Sequence, residues 1–327
     1  MTVASTDQAT NPLLATPPSP AIVTILGAGA WGTALASLAT LGGHQVRLWS
    51  RRSEQPLAEA IAAADIVLSA VSMKGVPDTV KHLQAAQLSD ATILVTATKG
   101  LDPSTRQTPA QIWQAAFPVH PVVVLSGPNL SEEIRQGLPT ATVVASHDAA
   151  AAERVQAVFA SDRFRVYTNS DPVGTELGGT LKNVIAIAAG VCDGLHLGTN
   201  ARSALITRSL AEIIRIGTSL GGQPETFFGL SGLGDLMTTC CSPLSRNYRV
   251  GYGLAQGKSL EQVLEELQST AEGVSTTNVL IDLAEREGIP VPVSWQVYQV
   301  LNSMTTPQKA LAALMDRDLK AEAHDLS

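Results

Sequence analysis

Charge is scarce in this chain. Only 16% of its 327 residues are Asp, Glu, Lys or Arg, and acids outnumber bases by 29 to 22. A net charge of −7 gives the whole molecule no bias toward nucleic acid or an anionic membrane surface, so an anionic ligand must be met by a local basic cluster. Cysteine is nearly missing. Cys240 and Cys241 are adjacent and Cys192 is remote, which makes neither a disulfide framework nor a C-x-x-C ligand pair. The expectation is reduced thiols in a cytoplasmic protein with no metal site. No apolar run approaches the roughly 18 residues that span a bilayer. The longest candidate, residues 184–191, stops at Cys192-Asp193-Gly194, so no membrane insertion is expected. Residues 1–20 lack the basic start and apolar centre of a secretory signal and read as a disordered Thr/Pro/Ala-rich tail.

What is present is a 45% apolar, alanine-rich chain of a length that suits two domains. From residue 21 to about 170, short β-branched runs (21–26, 45–49, 66–71, 92–98, 122–126, 140–146 and 164–168) alternate with helical stretches at 31–42, 76–87, 105–116 and 149–160. That alternation predicts an α/β domain with a doubly wound parallel sheet. Beyond it the strands stop. Helices are expected at 173–192, 200–218, 245–256, 259–268, 274–287, 293–303 and 306–316. Ser259 with Gln262 supplies a capping box, and Thr306-Pro307 an N-cap with proline at the first helical position. The boundaries are thus a tail over 1–20, a sheet domain over 21–170 and a helical domain over 171–327.

Gly27-Ala28-Gly29-Ala30-Trp31-Gly32 joins the first strand to the first helix as G-x-G-x-x-G. Gly27 suits the tight turn, Gly29 a close backbone approach to a pyrophosphate, and Gly32 close helix–strand packing. The phosphates then meet the free N–H groups at the helix N-terminus. With strand before, helix after and a second strand at the right distance, the loop predicts a Rossmann-like dinucleotide site. The second strand ends in Arg51-Arg52, where an acid would bond both ribose hydroxyls of NAD. A guanidinium there can clasp a 2′-phosphate instead, which points to NADP(H) as readily as NAD(H). Two solvated arginines are the alternative.

Five later segments place polar groups where a core or plain loop would not. Thr98-Lys99-Gly100 follows the fourth strand, and Ser126-Gly127-Pro128-Asn129-Leu130-Ser131 the fifth. Lys182-Asn183 opens onto Val-Ile-Ala-Ile-Ala-Ala. Burial there would lower the lysine's pKa toward that of a neutral-pH acid/base, unless its amine snorkels out at the helix edge. Asp235 lies in a glycine-rich loop, as a cap or as a partner for a cation. Ser245-Arg246-Asn247 opens a helix, as a phosphate clamp or a simple cap beside an exposed arginine.

In this order, GAGAWGTALA, TKGL, LSGPNLSEE, TLKNVIAIAAG, GLSGLGDLMTTC, SRNYRVGYGLAQG and AEGVSTT resemble the bacterial-type NAD(P)-dependent sn-glycerol-3-phosphate dehydrogenases. The resemblance runs from about residue 21 to beyond 300. It implies the 6-phosphogluconate-dehydrogenase-like pairing of a Rossmann-like domain with an all-α domain. It also implies reversible reduction of dihydroxyacetone phosphate to sn-glycerol 3-phosphate for phospholipid synthesis, in a cytoplasmic enzyme that forms a homodimer. By the same resemblance Lys182 is the acid/base, with Asp235 at its side. Lys99 meets cofactor and substrate. Gly127, Asn129, Asn183, Asp235, Ser245, Arg246 and Asn247 line the substrate site. Gly27, Gly29, Ala30, Trp31, Gly32, Arg51, Arg52, Ser131, Arg246 and Glu272 meet the cofactor. Three features depart from the pattern: a short segment between Trp49 and Asp65, Asn129 where some members carry threonine, and Thr270 where an aliphatic is common. Two other readings stay open: a lysine-dependent 3-hydroxyacid dehydrogenase, whose motifs lack the GLSGLGDL and SRNYR pairing, and a non-catalytic NADP(H)-binding sensor.

Overall fold

The computed structural model describes residues 19–268, 270–319 and 321. The tail expected over residues 1–20 lies, as far as residue 18, outside the described residues. Seven strands form one sheet: β1 (Ile22–Leu26), β2 (Gln45–Trp49), β3 (Ile66–Ser69), β4 (Ile93–Thr96), β5 (Val122–Ser126), β6 (Thr140–Ala145) and β7 (Phe164–Asn169). Their order is β2-β1-β3-β4-β5-β6-β7. All seven fall on the β-branched runs predicted from sequence. The connecting helices are α1 (Ala30–Leu41), α2 (Leu57–Ile61), α3 (Val76–Ala86), α4 (Pro109–Ala116), α5 (Ser131–Arg135) and α6 (Ala149–Phe159).

The sheet is not parallel throughout. β5 and β6 run antiparallel, with Ser126 opposite Val143, while every other neighbouring pair is parallel. The doubly wound parallel sheet expected from sequence is thus present, with this pair as its one antiparallel neighbour among the described strands. The link between the two strands contains only the five-residue α5. The chain re-enters the sheet from the end at which it left.

Alternation along the strands divides the core. On one face Val23, Ile25, Leu68, Val95, Val123 and Leu125 pack against α1 and α6; on the other, Leu26, Val67, Leu94 and Val122 pack against α3 and Trp113 of α4. Two-sided burial is what makes these strands nearly continuous apolar runs.

The second half is helical: α7 (Pro172–Gly194), α8 (Gly198–Ser219), α9 (Asp235–Cys240), α10 (Arg246–Ala255), α11 (Leu260–Leu267), α12 (Glu272–Glu287), α13 (Pro292–Leu301) and α14 (Pro307–Met315). The capping box of Ser259 and Gln262 and the cap by Thr306 are present as expected. α7 is the axis of this half. It starts at Asp171, whose side chain accepts from the Gly174 N–H at 2.8 Å, and Pro172 occupies the first turn. Leu177, Leu181, Val184, Ile185 and Ile187 of α7 sit at the centre of the apolar cluster built by the surrounding helices. α10 lies against α7 at backbone contact, since a Cβ on Gly190 would collide with the Tyr248 carbonyl and one on Gly251 with that of Ile187. This close seating carries the start of α10 toward the polar turn of α7.

Candidate active site

α7 is also the element that meets the carboxyl edge of the sheet. The Gly100 N–H, just after β4, donates to Thr180 Oγ1 at 3.0 Å. Two residues on, Lys182 has a side chain only 7% exposed. Its Nζ donates to Asp235 Oδ1 and Thr239 Oγ1. Lys99 reaches the same carboxylate from the sheet side, with Nζ 2.5 Å from Asp235 Oδ2 and 3.3 Å from the Gly127 carbonyl oxygen. Asp235 thus gives one oxygen to each lysine while it is itself 2% exposed.

Asp235 does not sit in a loop, as its glycine-rich surroundings suggest. It is the first residue of α9, entered through a π-helical turn over Leu230–Gly234. Such turns are rare and concentrate at functional sites. This one aims the first turn of α9 at α7, which places Asp235 and Thr239, four residues apart, on the same face. Thr239 was not singled out from sequence. Nothing in DLMTTC distinguishes it until the helix is known.

Burial pushes the Lys182 amine down to about 8, with the Lys99 charge adding to the shift and the Asp235 carboxylate opposing it. A buried amine at that value can hold or release a proton near neutral pH.

The sheet side of the cleft is tied together by hydroxyl contacts. Asn129 Nδ2 donates to Thr142 Oγ1 at 3.0 Å, and that hydroxyl donates to the Ser126 carbonyl at 2.8 Å. Asn129 Oδ1 is buried without a partner in the protein. Gly127 holds φ at +149°, and a Cβ there would come 3.1 Å from Thr142 Cα. Asn183 is buried beside Lys182, with its carbonyl against Gly273 at the start of α12.

On the helical side, Ser245 caps α10 by accepting from the Tyr248 N–H at 3.2 Å, which leaves its hydroxyl proton free to donate. Asn247 Oδ1 accepts from the Gly273 N–H at 2.9 Å, so its amide hydrogens are the part left for another acceptor. Arg246 is exposed at the first position of α10. Burial raises the Glu272 carboxyl above its usual range, against the lowering effect of the Met73 N–H and the Arg246 charge. Together these groups make an arginine, an amide and a hydroxyl at a helix N-terminus, a donor set suited to a phosphate dianion.

The residues present fit a dinucleotide. Gly27 adopts φ +116° and donates its N–H to the Trp49 carbonyl at 2.8 Å, while a Cβ at Gly32 would collide with the Gly27 carbonyl. α1, which begins Ala30-Trp31-Gly32, has no side-chain cap at Gly29. A Cβ there would meet no protein atom within 4 Å and would fill the approach to the helix N-terminus. Next to this loop a cleft of about 190 Å³ is lined by residues that include Gly27, Trp49, Arg51, Asp78, Thr79 and His82. Arg51 belongs to the lining. Arg52 lies at the turn, its N–H on Ser50 Oγ at 3.3 Å. The shortened segment after β2 is closed by Trp49 Nε1, which donates to the Gln55 carbonyl at 3.0 Å. Asp78, Thr79 and His82 come from α3, and no sequence motif marks them. Ser131 opens α5, half-buried. Among the described residues no group of three His, Cys, Asp or Glu side chains converges as a metal site would require. No described helix is long and apolar enough to cross a membrane.

Comparison with known proteins agrees with this geometry. The family model described as NAD-dependent glycerol-3-phosphate dehydrogenase N-terminus matches residues 22–58 and 53–152, and its C-terminus counterpart matches 171–312. The chain is 64% identical over 304 residues to a glycerol-3-phosphate dehydrogenase (NAD(P)+) of Acaryochloris marina, covering 93% of this chain and 98% of that one. It is 62% identical over 310 residues to a protein of the same name from Synechocystis, covering 95% and 97%. Among solved structures, a glycerol-3-phosphate dehydrogenase from Coxiella burnetii superposes with a TM-score of 0.87 at 33% identity, covering 92% of this chain and all of that one. With both halves matched and near-complete coverage of relatives at this identity, the chain belongs to the NAD-dependent glycerol-3-phosphate dehydrogenase family.

Proposed function

We propose that Lys182 is the general acid/base of a dehydrogenase that reversibly reduces dihydroxyacetone phosphate to sn-glycerol 3-phosphate with NAD(H) or NADP(H). The observation that carries this reading is the pair of lysines, 99 and 182, held by the single buried carboxylate of Asp235 where α7 meets the carboxyl edge of the sheet. Ligands of open α/β sheets bind at that edge. A dihydronicotinamide, when bound, supplies the hydride to the ketone carbon. The ketone oxygen gains negative charge as the new C–H bond forms, and the Lys182 ammonium delivers a proton to it. In the reverse direction the neutral amine takes the hydroxyl proton. Asp235 fixes the amine's position and offsets the repulsion from Lys99. Lys99, charged and hydrogen-bonded to the Gly127 carbonyl, orients the polar end of the substrate. Arg246, the Ser245 hydroxyl and the Asn247 amide hold the phosphate. Asn129 and Asn183 line the same cleft.

On the nucleotide side, the Gly27–Gly32 loop with Ala30 and Trp31 receives the pyrophosphate, Arg51 the 2′-phosphate of NADP(H), and Lys99, Ser131, Arg246 and Glu272 the nicotinamide half. The working division is a dinucleotide domain over 21–170 and a substrate domain over 171–327. The same reading extends to a cytoplasmic homodimer that feeds phospholipid synthesis. Oxidation of NADPH and of NADH by purified protein, with dihydroxyacetone phosphate and with short 2- and 3-oxo acids, tests the reading. Turnover is expected with the phosphate ester alone. Activity on oxo acids only, or on none of these ketones, would overturn it. Light scattering on the eluted protein tests the dimer.

A further inference from the structure

Ser126 closes β5 and is 2% exposed, yet its Oγ has no hydrogen-bond partner in the protein. Buried hydroxyls without a partner are uncommon and call for a specific cause. The backbone there is satisfied, because the Ser126 carbonyl accepts from Thr142 Oγ1. The side chain is the group left over. It faces Gly179, which lies one turn before Lys182 on α7. A Cβ at Gly179 would collide with Ser126 Oγ, approach Lys99 Cε at 3.3 Å and Asp235 Oδ2 at 3.7 Å. The unpaired hydroxyl thus lies beside the lysine–carboxylate cluster, packed against the bare backbone of Gly179.

The three-carbon ketone carries three polar groups. The phosphate is met by Ser245, Arg246 and Asn247, and the ketone oxygen by Lys182. The terminal hydroxyl has no partner among those residues. We propose that Ser126 Oγ hydrogen-bonds the terminal hydroxyl of dihydroxyacetone phosphate and thereby selects a hydroxymethyl ketone over a methyl ketone. This rests on the substrate reading above. A hydroxyl is suited to the task because it can donate and accept at once, and the partner it would gain is the one it lacks in the protein. A substrate with a methyl group at that end would leave Ser126 as buried and unpaired as before, which is the physical basis of discrimination by a polar pocket.

The experiment compares dihydroxyacetone phosphate with hydroxyacetone phosphate, its analogue with a methyl group in place of the hydroxymethyl, in the wild type and in Ser126→Ala. Wild-type kcat/KM should favour the hydroxymethyl ketone by roughly 10- to 100-fold, the range of one buried hydrogen bond. Ser126→Ala should lose that factor on dihydroxyacetone phosphate, keep its kcat/KM on hydroxyacetone phosphate to within about threefold, and bind NADPH as the wild type does. A wild type that treats the two ketones alike overturns the proposal, whether or not the variant folds. So does an equal loss on both ketones, or a variant whose only change is weaker NADPH binding. Absence of wild-type turnover with either ketone would instead sink the substrate reading itself.

Discussion

The amine of Lys182 donates to Oδ1 of Asp235, a carboxylate presented by the first turn of α9 across the groove from α7. The other oxygen of that carboxylate holds Lys99, so the two lysines are brought together by one buried negative charge. Removing that charge leaves two amines side by side in a poorly solvated space.

Asp235→Asn should therefore lower the Lys182 pKa further below its present value of about 8 and reduce turnover by roughly 10²-fold or more, the scale of a disturbed proton-transfer group. The pH profile of ketone reduction, measured beside that of the wild type, checks this: its alkaline limb should move to lower pH. A variant with reduced turnover and an unmoved limb would separate Asp235 from the amine's titration.

The two directions of the reaction should respond oppositely to pH. Reduction needs the ammonium and should fall as pH rises through about 8, whereas oxidation needs the neutral amine and should rise through the same window. Parallel kcat/KM profiles with dihydroxyacetone phosphate and with sn-glycerol 3-phosphate check the sign. Profiles that rise together would contradict a shared acid/base.

Arg51 lines the cleft beside the glycine loop and Arg52 stands at the turn. Arg51→Ser should weaken NADPH by about 1.5–3 kcal/mol, the range for a hydrogen bond to a charged group, and leave NADH nearly unchanged. Arg52→Ser should cost less. Fluorescence titration with each nucleotide measures both; equal loss of NADPH and NADH would remove the 2′-phosphate from the account.

Glu176 is buried on α7, where its carboxylate accepts from the Ala110 N–H at 3.0 and 3.2 Å and so joins the axis of the helical half to the start of α4. Burial pushes its pKa up to about 8, against the lowering effect of hydrogen bonds from Thr108 and Ala110. Between about 4.5 and 8 the folded chain keeps this proton while the unfolded chain loses it. The group's contribution is complete at low pH and is lost as pH rises through that window. Urea unfolding at pH 5.5 and 7.5 should show the wild type losing ground relative to Glu176→Gln as pH rises. Parallel behaviour of the two proteins would contradict this coupling.

The central strands were legible because two-sided burial writes them as apolar, β-branched runs, as in residues 66–69 and 122–126, and the glycine loop because each glycine answers a separate steric demand. The reversal at β6 was not, since the run over residues 140–145 reads the same whichever way the strand points. α9 escaped notice because glycines at 229, 232 and 234 read as a loop, and with it went the helical spacing that joins Asp235 to Thr239. Ser126 belongs to a recognisable SGP segment, but its orphaned hydroxyl exists only once Gly179 is packed against it. Asp78, Thr79 and His82 reach the nucleotide cleft through tertiary packing of α3. That Arg51 rather than Arg52 lines the cleft is set by the turn after β2, which adjacent identical residues cannot reveal.

The account stands on the Lys182 amine moving the proton that accompanies hydride transfer. Its most direct test is Lys182→Ala, assayed for turnover of dihydroxyacetone phosphate and for NADPH binding on the same preparation. The account predicts a fall in turnover of about 10²- to 10⁴-fold with NADPH bound as tightly as by the wild type; turnover close to that of the wild type would contradict it.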